Sequence, residues 1–152
     1  MAKTLGYMVT WTTYGTWLQG DERQYVKDGQ ILPANNALAA ANIRALTKNP
    51  VRLSFNQRRI VEEAIKQKAI RFGQQIYALA VCTNHVHLVA KYIPRPIGVV
   101  VQRYKNCAVR ALRKTGVQGR VWTNGFDKRY CFDRDTLQQK INYVNSHFRK
   151  HI

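Results

Sequence analysis

Apolar and polar residues alternate at the start of the chain, in the run Leu-Gly-Tyr-Met-Val-Thr-Trp-Thr at residues 5–12. A period of two is typical of a β-strand, so we expect the first strand there. A polar segment then runs from about residue 14 to residue 50 and includes an alanine-rich stretch. Connections of this length in compact domains are usually functional or partly helical, and we expect a short helix near residues 36–47.

The next segment carries helix start and stop signals. Ser54 and Gln57 have capping-box spacing, apolar residues recur behind them at helical intervals, and Gly73 can close the helix. Residues 75–82 and 85–92 then have the composition of two strands joined by a tight two-residue turn. We therefore expect a long helix followed by a hairpin near the middle of a sheet.

A second helix is predicted between Pro96 and Gly116, where apolar side chains recur on one face. Short strands are expected near residues 120–123 and 129–132.

The last helix begins near Asp133 or Asp135, and its apolar positions recur at steps of four, three and four: Leu137, Ile141, Val144 and Phe148. The order of elements is strand, helix, strand, strand, helix, strand, helix. This order predicts an α+β, ferredoxin-like sandwich, with an antiparallel sheet of four to five strands covered by helices and an extra C-terminal helix. The length of 152 residues suits a single domain over residues 1–152.

Composition adds a class of partner to this fold. The chain has 25 Lys and Arg against 8 Asp and Glu, which gives a formal net charge of +17. Its 45% hydrophobic content can order a core, which excludes a disordered basic tail. So strong a positive field attracts nucleic acid or an anionic membrane surface. The stretch 101–120 holds six of the basic residues and no acid.

The three cysteines, Cys82, Cys107 and Cys131, do not form a disulfide framework, and an odd number of them suits a reducing compartment. The first segment does not resemble a secretory signal, and no apolar run approaches the roughly 18 residues of a membrane helix. We therefore expect a cytoplasmic protein without a membrane partner.

Two histidines alternate on the third predicted strand. His85 and His87 stand at i and i+2, so both imidazoles project from the same face of the sheet, where they can form half of a metal site. The alternative is a pair of histidines that are packed or exposed by chance. The sequence has no conventional zinc motif, because Cys82 and His85 are not followed by a second pair of Cys or His ligands at matching spacing.

The last helix can complete such a site. Tyr143 and His147 are four residues apart, on a helix face beside the apolar one. The alternatives are amphipathic packing for Tyr143 and simple exposure for His147. Tyr104 is a rival nucleophile because Arg103 and Lys105 flank it, although it falls on the apolar line of the second helix.

The second helix also carries a basic stripe. Arg103, Arg110 and Lys114 fall at spacings of seven and four on its solvent side, and such a stripe can follow a phosphate backbone. The alternative is a solvated face that aids solubility. Candidates for stacking on unpaired bases, with core packing as the alternative, are Trp11, Tyr14, Trp17 and Trp122.

At these residues the sequence resembles the single-tyrosine, His-hydrophobic-His transposases, and especially the REP-associated tyrosine transposases and their relatives. The motifs that carry the resemblance are TYGTWLQGD at 13–21, TNHVHLV at 83–89, AVRALR at 108–113 and YVNSH at 143–147. The resemblance extends from about residue 5 to residue 148, and the ordered set is more specific than the histidine pair alone.

The resemblance implies a metal-dependent nuclease that cuts and rejoins single-stranded DNA. It assigns His85 and His87 to a divalent cation, Mg²⁺ or Mn²⁺, and Tyr143 to attack on the phosphate, which leaves a 5′-phosphotyrosine and a free 3′-hydroxyl. The family commonly has glutamine as a third ligand where this chain has His147. A third nitrogen ligand moves the metal preference toward Mn²⁺ or Zn²⁺.

The expected DNA contacts lie on the basic helix, which we expect next to the proposed site, as a guide for the strand held for cutting. They are Arg103, Lys105, Arg110, Arg113 and Lys114, together with Trp17 for stacking.

Three functions stay open at this point. The first is a transposase or a domesticated relative that acts on a hairpin with flanking single-stranded DNA, as a monomer or a homodimer. The second is a non-catalytic nucleic-acid-binding protein, specific for a sequence or a hairpin, in which the histidines are structural. The third is a zinc-dependent hydrolase with Cys82 or His147 as a further ligand.

Overall fold

The computed structural model describes residues 3–16 and 50–150 of the chain, with side chains as far as His147. The strands in these ranges are β1 (Gly6–Thr12), β2 (Ile76–Val81), β3 (His85–Lys91) and β4 (Asp127–Cys131). The helices are α1 (Phe55–Phe72), α2 (Ile97–Arg113) and α3 (Arg134–Lys150). The helix expected near residues 36–47 lies outside the described ranges. Of the described helices, none is long and apolar enough to cross a membrane.

The four strands form one antiparallel sheet in the order β2-β3-β1-β4. The predicted α+β, ferredoxin-like sandwich is confirmed, because two strand–helix–strand units interleave their strands and α3 follows as the extra C-terminal helix. Strand β1 is buried along its whole length, since it is a central strand that is covered on both faces.

Local capping sets the bounds of α1 where the sequence predicts them. Ser54 Oγ accepts a hydrogen bond from the Gln57 backbone N–H, and the Gln57 side chain accepts one from the Ser54 backbone N–H. These two bonds complete the capping box. Gly73 ends the helix with φ of 69°, a left-handed conformation that glycine adopts without steric cost.

The strand expected near residues 120–123 does not form. Trp122 makes a single bridge with Thr13, and its indole N–H donates to the Lys105 carbonyl of α2 at 3.1 Å. Its ring packs edge-on against Trp11 with 6.0 Å between ring centroids. Both indoles are buried, so packing of Trp122 into the core replaces a fifth strand. These two tryptophans are therefore core residues and not the base-stacking groups that the sequence allowed.

Two hydrophobic layers lie on opposite faces of the sheet. The larger one lies under α1 and α2 and includes Tyr7, Trp11, Ile65, Leu88 and Leu112. The smaller one lies under α3 and consists of Met8, Ala78, Ala80, Cys82, Val89 and Val144. Because side chains alternate along a strand, residues 85, 87 and 89 of β3 all face α3.

A side-chain cap and a close approach to the sheet fix the position of α3. Hydrogen bonds from the Thr136 backbone N–H and hydroxyl hold the pKa of the Asp133 carboxyl below its ordinary value. At Gly6, an added Cβ would lie 2.6 Å from the Ala90 carbonyl oxygen and 3.1 Å from Leu137 of α3. A side chain at Gly6 would therefore disturb both the β1–β3 pairing and the seat of the helix.

Lys105 is a buried cation at the edge of the larger layer. Its side chain is 5% exposed, and Nζ donates to the carbonyl oxygens of Thr123 at 3.0 Å and Gly125 at 2.6 Å. Burial, with a smaller contribution from the nearby Arg120 guanidinium, lowers the pKa of Lys105 from 10.5 to about 8. Lys105 therefore fastens the loop after α2 to the helix.

This buried lysine predicts a dependence of stability on pH. Between about pH 8 and 10.5 the unfolded chain holds the Lys105 proton and the folded chain does not, so the folded state gains stability as pH rises. The unfolding free energy of wild type should therefore rise relative to that of Lys105→Met across this window, by up to about 1.4 kcal/mol per pH unit. Urea unfolding at several pH values measures it.

The matched control is Lys114→Met, which changes an exposed lysine at the end of the same helix. The Lys105→Met difference should depend on pH more steeply than the Lys114→Met difference. Equal pH profiles for the two variants would contradict the assignment.

Candidate active site and metal centre

The β2–β3 hairpin fixes the two strand histidines. In register, His85 stands opposite Thr12 of β1, and His87 stands between Thr10 of β1 and Ala80 of β2. Both rings contact His147 of α3, which confirms that they occupy the sheet face that this helix covers. His87 is only 6% exposed.

Each strand histidine has a ring nitrogen engaged by a neighbouring side chain. His85 Nδ1 lies 2.7 Å from Asn84 Oδ1, and because an amide oxygen only accepts, Nδ1 is the donor of this bond. His87 Nδ1 lies 2.8 Å from Thr10 Oγ1. Outer contacts of this kind orient imidazole rings and raise their basicity as metal ligands.

Helix α3 brings a third imidazole onto the pair. His147 Nε2 lies 2.6 Å from His85 Nε2, so the two rings share a hydrogen bond. The ring centroids of His85, His87 and His147 are 4.6 to 4.7 Å apart. The buried Val144 holds the helix against the smaller hydrophobic layer one turn earlier. The structure thus brings the rings of the three histidines together, but the ligand atoms that meet within 4.8 Å in the described residues are those of His85, His147 and Cys82, without His87.

Tyr143 lies on the open side of this cluster. Its ring centroid is 5.5 Å from that of His87 and 5.8 Å from that of His147, on which it stacks at 29°. Half of the Tyr143 surface is exposed. The tyrosine and the histidines of one chain therefore meet in a single site that opens to solvent.

Tyr104, the rival nucleophile, is buried on the other side of the sheet. Its hydroxyl donates to Gln74 Oε1 at 2.6 Å, and burial raises the pKa of its phenol well above the ordinary value of 10.0. A phenol that is buried and hydrogen-bonded in this way cannot reach a phosphate. Tyr104 is a core residue, as its place on the apolar face of α2 predicts.

Cys82 lies closer to the histidines than the sequence indicated. The Sγ atom of Cys82 and the ring nitrogens of His85 and His147 lie within 4.8 Å of one another. Burial raises the pKa of the Cys82 thiol to about 11, against a smaller opposite effect of Arg58. The signal in the sequence was its position three residues before His85, across the two-residue turn.

This donor set determines which metals the site suits. Within the described residues, the one group of metal-ligating side chains that meets so closely holds imidazoles and a thiol but no carboxylate. Imidazole suits Mn²⁺, Fe²⁺, Zn²⁺ and Cu²⁺ better than it suits Mg²⁺, which takes oxygen ligands in near-ideal octahedral geometry. The residues present therefore fit a transition-metal ion.

The basic residues of α2 lie away from this site. Arg103, Arg110, Arg113 and Lys114 are exposed, but α2 packs on the sheet face opposite the histidines. The expectation that the basic helix lies next to the site is therefore wrong. Lys105 is a second correction, because its buried ammonium binds backbone carbonyls and is not available to DNA. Trp17 lies outside the described residues.

A cationic cleft of about 200 Å³ opens between α1 and α2. Lys68, Arg71, Arg110 and Lys114 line it, and Cys107 lies among them. In the described part of the chain, ion pairs form at other residues, so these four cations have no acidic partner within 4.0 Å there. Sequence reasoning found the two cations of α2 and missed Lys68 and Arg71, whose spacing of three residues places them on one face of α1.

Comparison with known proteins agrees with this geometry. The family model described as "Transposase IS200 like" matches residues 45–147, which include all three histidines and Tyr143. The chain belongs to this transposase family. A comparison with curated protein sequences finds no match.

Two solved structures share the fold. One is a REP-associated tyrosine transposase bound to a REP hairpin, with a TM-score of 0.58 at 12% identity, covering 99% of this chain and 71% of that one. The other is a candidate transposase from Deinococcus radiodurans R1, with a TM-score of 0.50 at 16% identity, covering 96% of this chain and 92% of that one.

The Asn84 contact predicts a loss of metal affinity. In Asn84→Ala the His85 ring loses the acceptor that fixes its orientation and tautomer, so the Kd for Mn²⁺ should rise by about tenfold or more. Calorimetric titration of the metal-stripped protein measures this value. Asn106→Ala, which removes an exposed amide of α2, is the control and should leave the Kd unchanged. Equal affinity in the two variants would show that Asn84 does not support a metal ligand.

Proposed function

We propose that this transposase-family chain is a metal-dependent endonuclease and strand transferase acting on single-stranded or hairpin DNA, with Tyr143 as its nucleophile. One observation carries the proposal: the half-exposed Tyr143 ring lies against His87 and His147, at 5.5 and 5.8 Å between ring centroids, within one chain. A tyrosine and a histidine cluster are thus adjacent at a solvent-accessible surface, which supports the proposal.

In the proposed reaction, Tyr143 Oη attacks the scissile phosphorus and the phenolic proton passes to solvent. The bond from phosphorus to the 3′-oxygen breaks, and that oxygen takes up a proton to become a free 3′-hydroxyl. The 5′-phosphate stays on Tyr143 as a phosphodiester, so the energy needed for rejoining is kept. Attack by another 3′-hydroxyl reverses the step and releases the tyrosine.

His85, His87 and His147 would hold the cation for this step. A bound divalent ion supplies Lewis-acid stabilisation of the charge that develops on the phosphate oxygens. Asn84 and Thr10 orient the rings of His85 and His87. Because the cluster lacks a carboxylate, we propose Mn²⁺ as the better cofactor and Mg²⁺ as the poorer one.

DNA contacts away from the reacting phosphate are assigned to the other side of the sheet. The net charge of +17 and the cleft between α1 and α2 favour a polyanion there. We propose that Arg103, Arg110, Arg113 and Lys114 contact DNA phosphates outside the cleavage site. The similar structure with a bound REP hairpin supports a hairpin as the partner. Since one chain contains the whole cluster, we propose that it acts in cis as a monomer.

The nucleophile is tested by trapping. Incubation with single-stranded DNA labelled at its 3′ end and Mn²⁺ should give a labelled covalent protein–DNA adduct in wild type and none in Tyr143→Phe. Tyr130→Phe, a matched change at another exposed tyrosine, and Tyr104→Phe, a change in the core, should both keep the adduct. An adduct in Tyr143→Phe that disappears in Tyr104→Phe would overturn the assignment.

The same assay separates the competing functions. A chain that binds hairpin DNA equally well with and without a chelator, and that shows no cleavage with any added metal, is a non-catalytic binding protein with structural histidines. The hydrogen bond between His147 and His85 gives that alternative its structural support. Stoichiometric zinc in protein purified without added metal, with no DNA cleavage, would favour the zinc-dependent hydrolase.

The second DNA surface is tested by salt dependence. Arg110→Gln and Lys114→Gln should each weaken hairpin binding for all sequences alike and lower the slope of log K against log salt by about 1. Neither variant should change the Kd for Mn²⁺, because α2 lies across the sheet. Lys66→Gln is the control, since the Lys66 ammonium already pairs with Glu62 at 2.9 Å. Unchanged salt slopes in both cleft variants would remove α2 from the DNA interface.

A further inference from the structure

The site includes a potential sulfur ligand, Cys82, that the proposed reaction does not use. Cys82 belongs to the layer under α3 and is fully buried, whereas Tyr143 is half exposed. The Cys82 sulfur nevertheless lies within 4.8 Å of ligand nitrogens of both His85 and His147. His87, the strand histidine whose ring contacts Tyr143, is not part of this trio.

We propose that Cys82, His85 and His147 form a binding position for soft divalent ions, Zn²⁺ above all, that shares His85 and His147 with the catalytic cluster. Occupation of this position inhibits the chain. A sulfur and two imidazole nitrogens are the donors that tetrahedral Zn²⁺ takes, with water as the fourth ligand. The binding position stands on the cluster itself, whereas the inhibition rests on the proposed function.

Zinc fits between Cys82, His85 and His147 after a small rotation of the two imidazole rings. Zn–N bonds of about 2.0–2.1 Å in a tetrahedron place two nitrogens about 3.3 Å apart. The Nε2 atoms of His85 and His147 start from 2.6 Å, so rotation of the two rings must open this distance. In the state in which His147 Nε2 carries the shared proton, that proton moves to His147 Nδ1, and the Cys82 thiol releases its proton to solvent. Binding therefore exchanges one proton for a Zn–S bond of about 2.3 Å.

Zinc in this binding position would displace the catalytic ion without taking over its role, because both ions need His85 and His147. A thiolate ligand donates negative charge to the metal and weakens its action as a Lewis acid. His85 and His147 are then engaged on the buried side of the cluster, away from the His87 ring against which Tyr143 lies. Mn²⁺ prefers nitrogen and oxygen over sulfur, so the thiol adds little to its binding. Cys82 therefore strengthens the binding of the inhibitory Zn²⁺ and not that of the activating Mn²⁺.

Cobalt substitution tests the ligand set without reference to activity. Co²⁺ added to metal-stripped wild-type protein should produce a near-ultraviolet thiolate-to-cobalt charge-transfer band that Zn²⁺ removes. Cys82→Ser should lose this band and bind Zn²⁺ more than about tenfold more weakly, while its Kd for Mn²⁺ changes less than about twofold. Cys107→Ser, a change on the other side of the sheet, should behave as wild type.

The wild-type spectrum alone can overturn the proposal, since absence of the charge-transfer band excludes the thiolate whatever the variants do. Cys82→Ala is a second variant that matches the small neighbours Ala78 and Ala80, and thermal unfolding confirms that it folds. Equal Zn²⁺ affinity in wild type and Cys82→Ala would also refute the site.

Inhibition is measured separately, as adduct formation with Mn²⁺ and increasing Zn²⁺. Zinc should inhibit wild type at more than about tenfold lower concentration than Cys82→Ala, in line with the difference in affinity. If no adduct forms under any condition, the proposed function fails while the cobalt band still decides the binding site. A cobalt band together with equal zinc inhibition in the two proteins refutes the inhibitory role.

Discussion

The hydrogen bond between His147 and His85, at 2.6 Å between Nε2 atoms, joins the last helix to the central hairpin at the point where chemistry is proposed. Helix α3 has the smaller of the two hydrophobic layers beneath it, formed around Val144 by Met8, Val89, Cys82 and two alanines. The imidazole cluster therefore supplies polar contacts where apolar burial is limited. The rotation of α3 that satisfies His147 also puts Tyr143 against His87. Metal binding would use the same rings, so docking of the helix and assembly of the site are one event.

The sheet separates the histidine cluster on one face from the cationic cleft on the other. On one face, histidines, a thiol and a tyrosine form a compact group in which each ring is close enough to perturb the next. On the other face, α1 and α2 cover the larger hydrophobic layer and present the cationic cleft to solvent. Under the proposed function, this division would place the contacts to a long polyanion on the cleft face, across the sheet from the imidazoles that would hold the cation.

Much of this architecture follows from local signals. The capping box at Ser54, the alternation around His85 and the four-residue spacing of Tyr143 and His147 are signals of local structure, and the elements form where those signals lie. The misplaced features depend on contacts that are distant in sequence. Trp122 is buried because its indole reaches the Lys105 carbonyl, so the segment around it does not become a strand. The ammonium of Lys105 is buried because carbonyls of a later loop accept from it, which no helical periodicity reveals. The nearness of Cys82 to His147 likewise depends on how α3 docks.

The central claim is that one chain contains the nucleophile and the metal ligands of a strand-transfer site. Mixing two inactive variants tests it most directly: Tyr143→Phe, which keeps the histidines, and His87→Ala, which keeps the tyrosine. With single-stranded DNA labelled at its 3′ end and Mn²⁺, the account predicts a labelled covalent adduct for wild type and none for either variant or for their mixture. An adduct that appears in the mixture on the His87→Ala chain would contradict it, because the tyrosine of one chain would then be acting at the histidines of another.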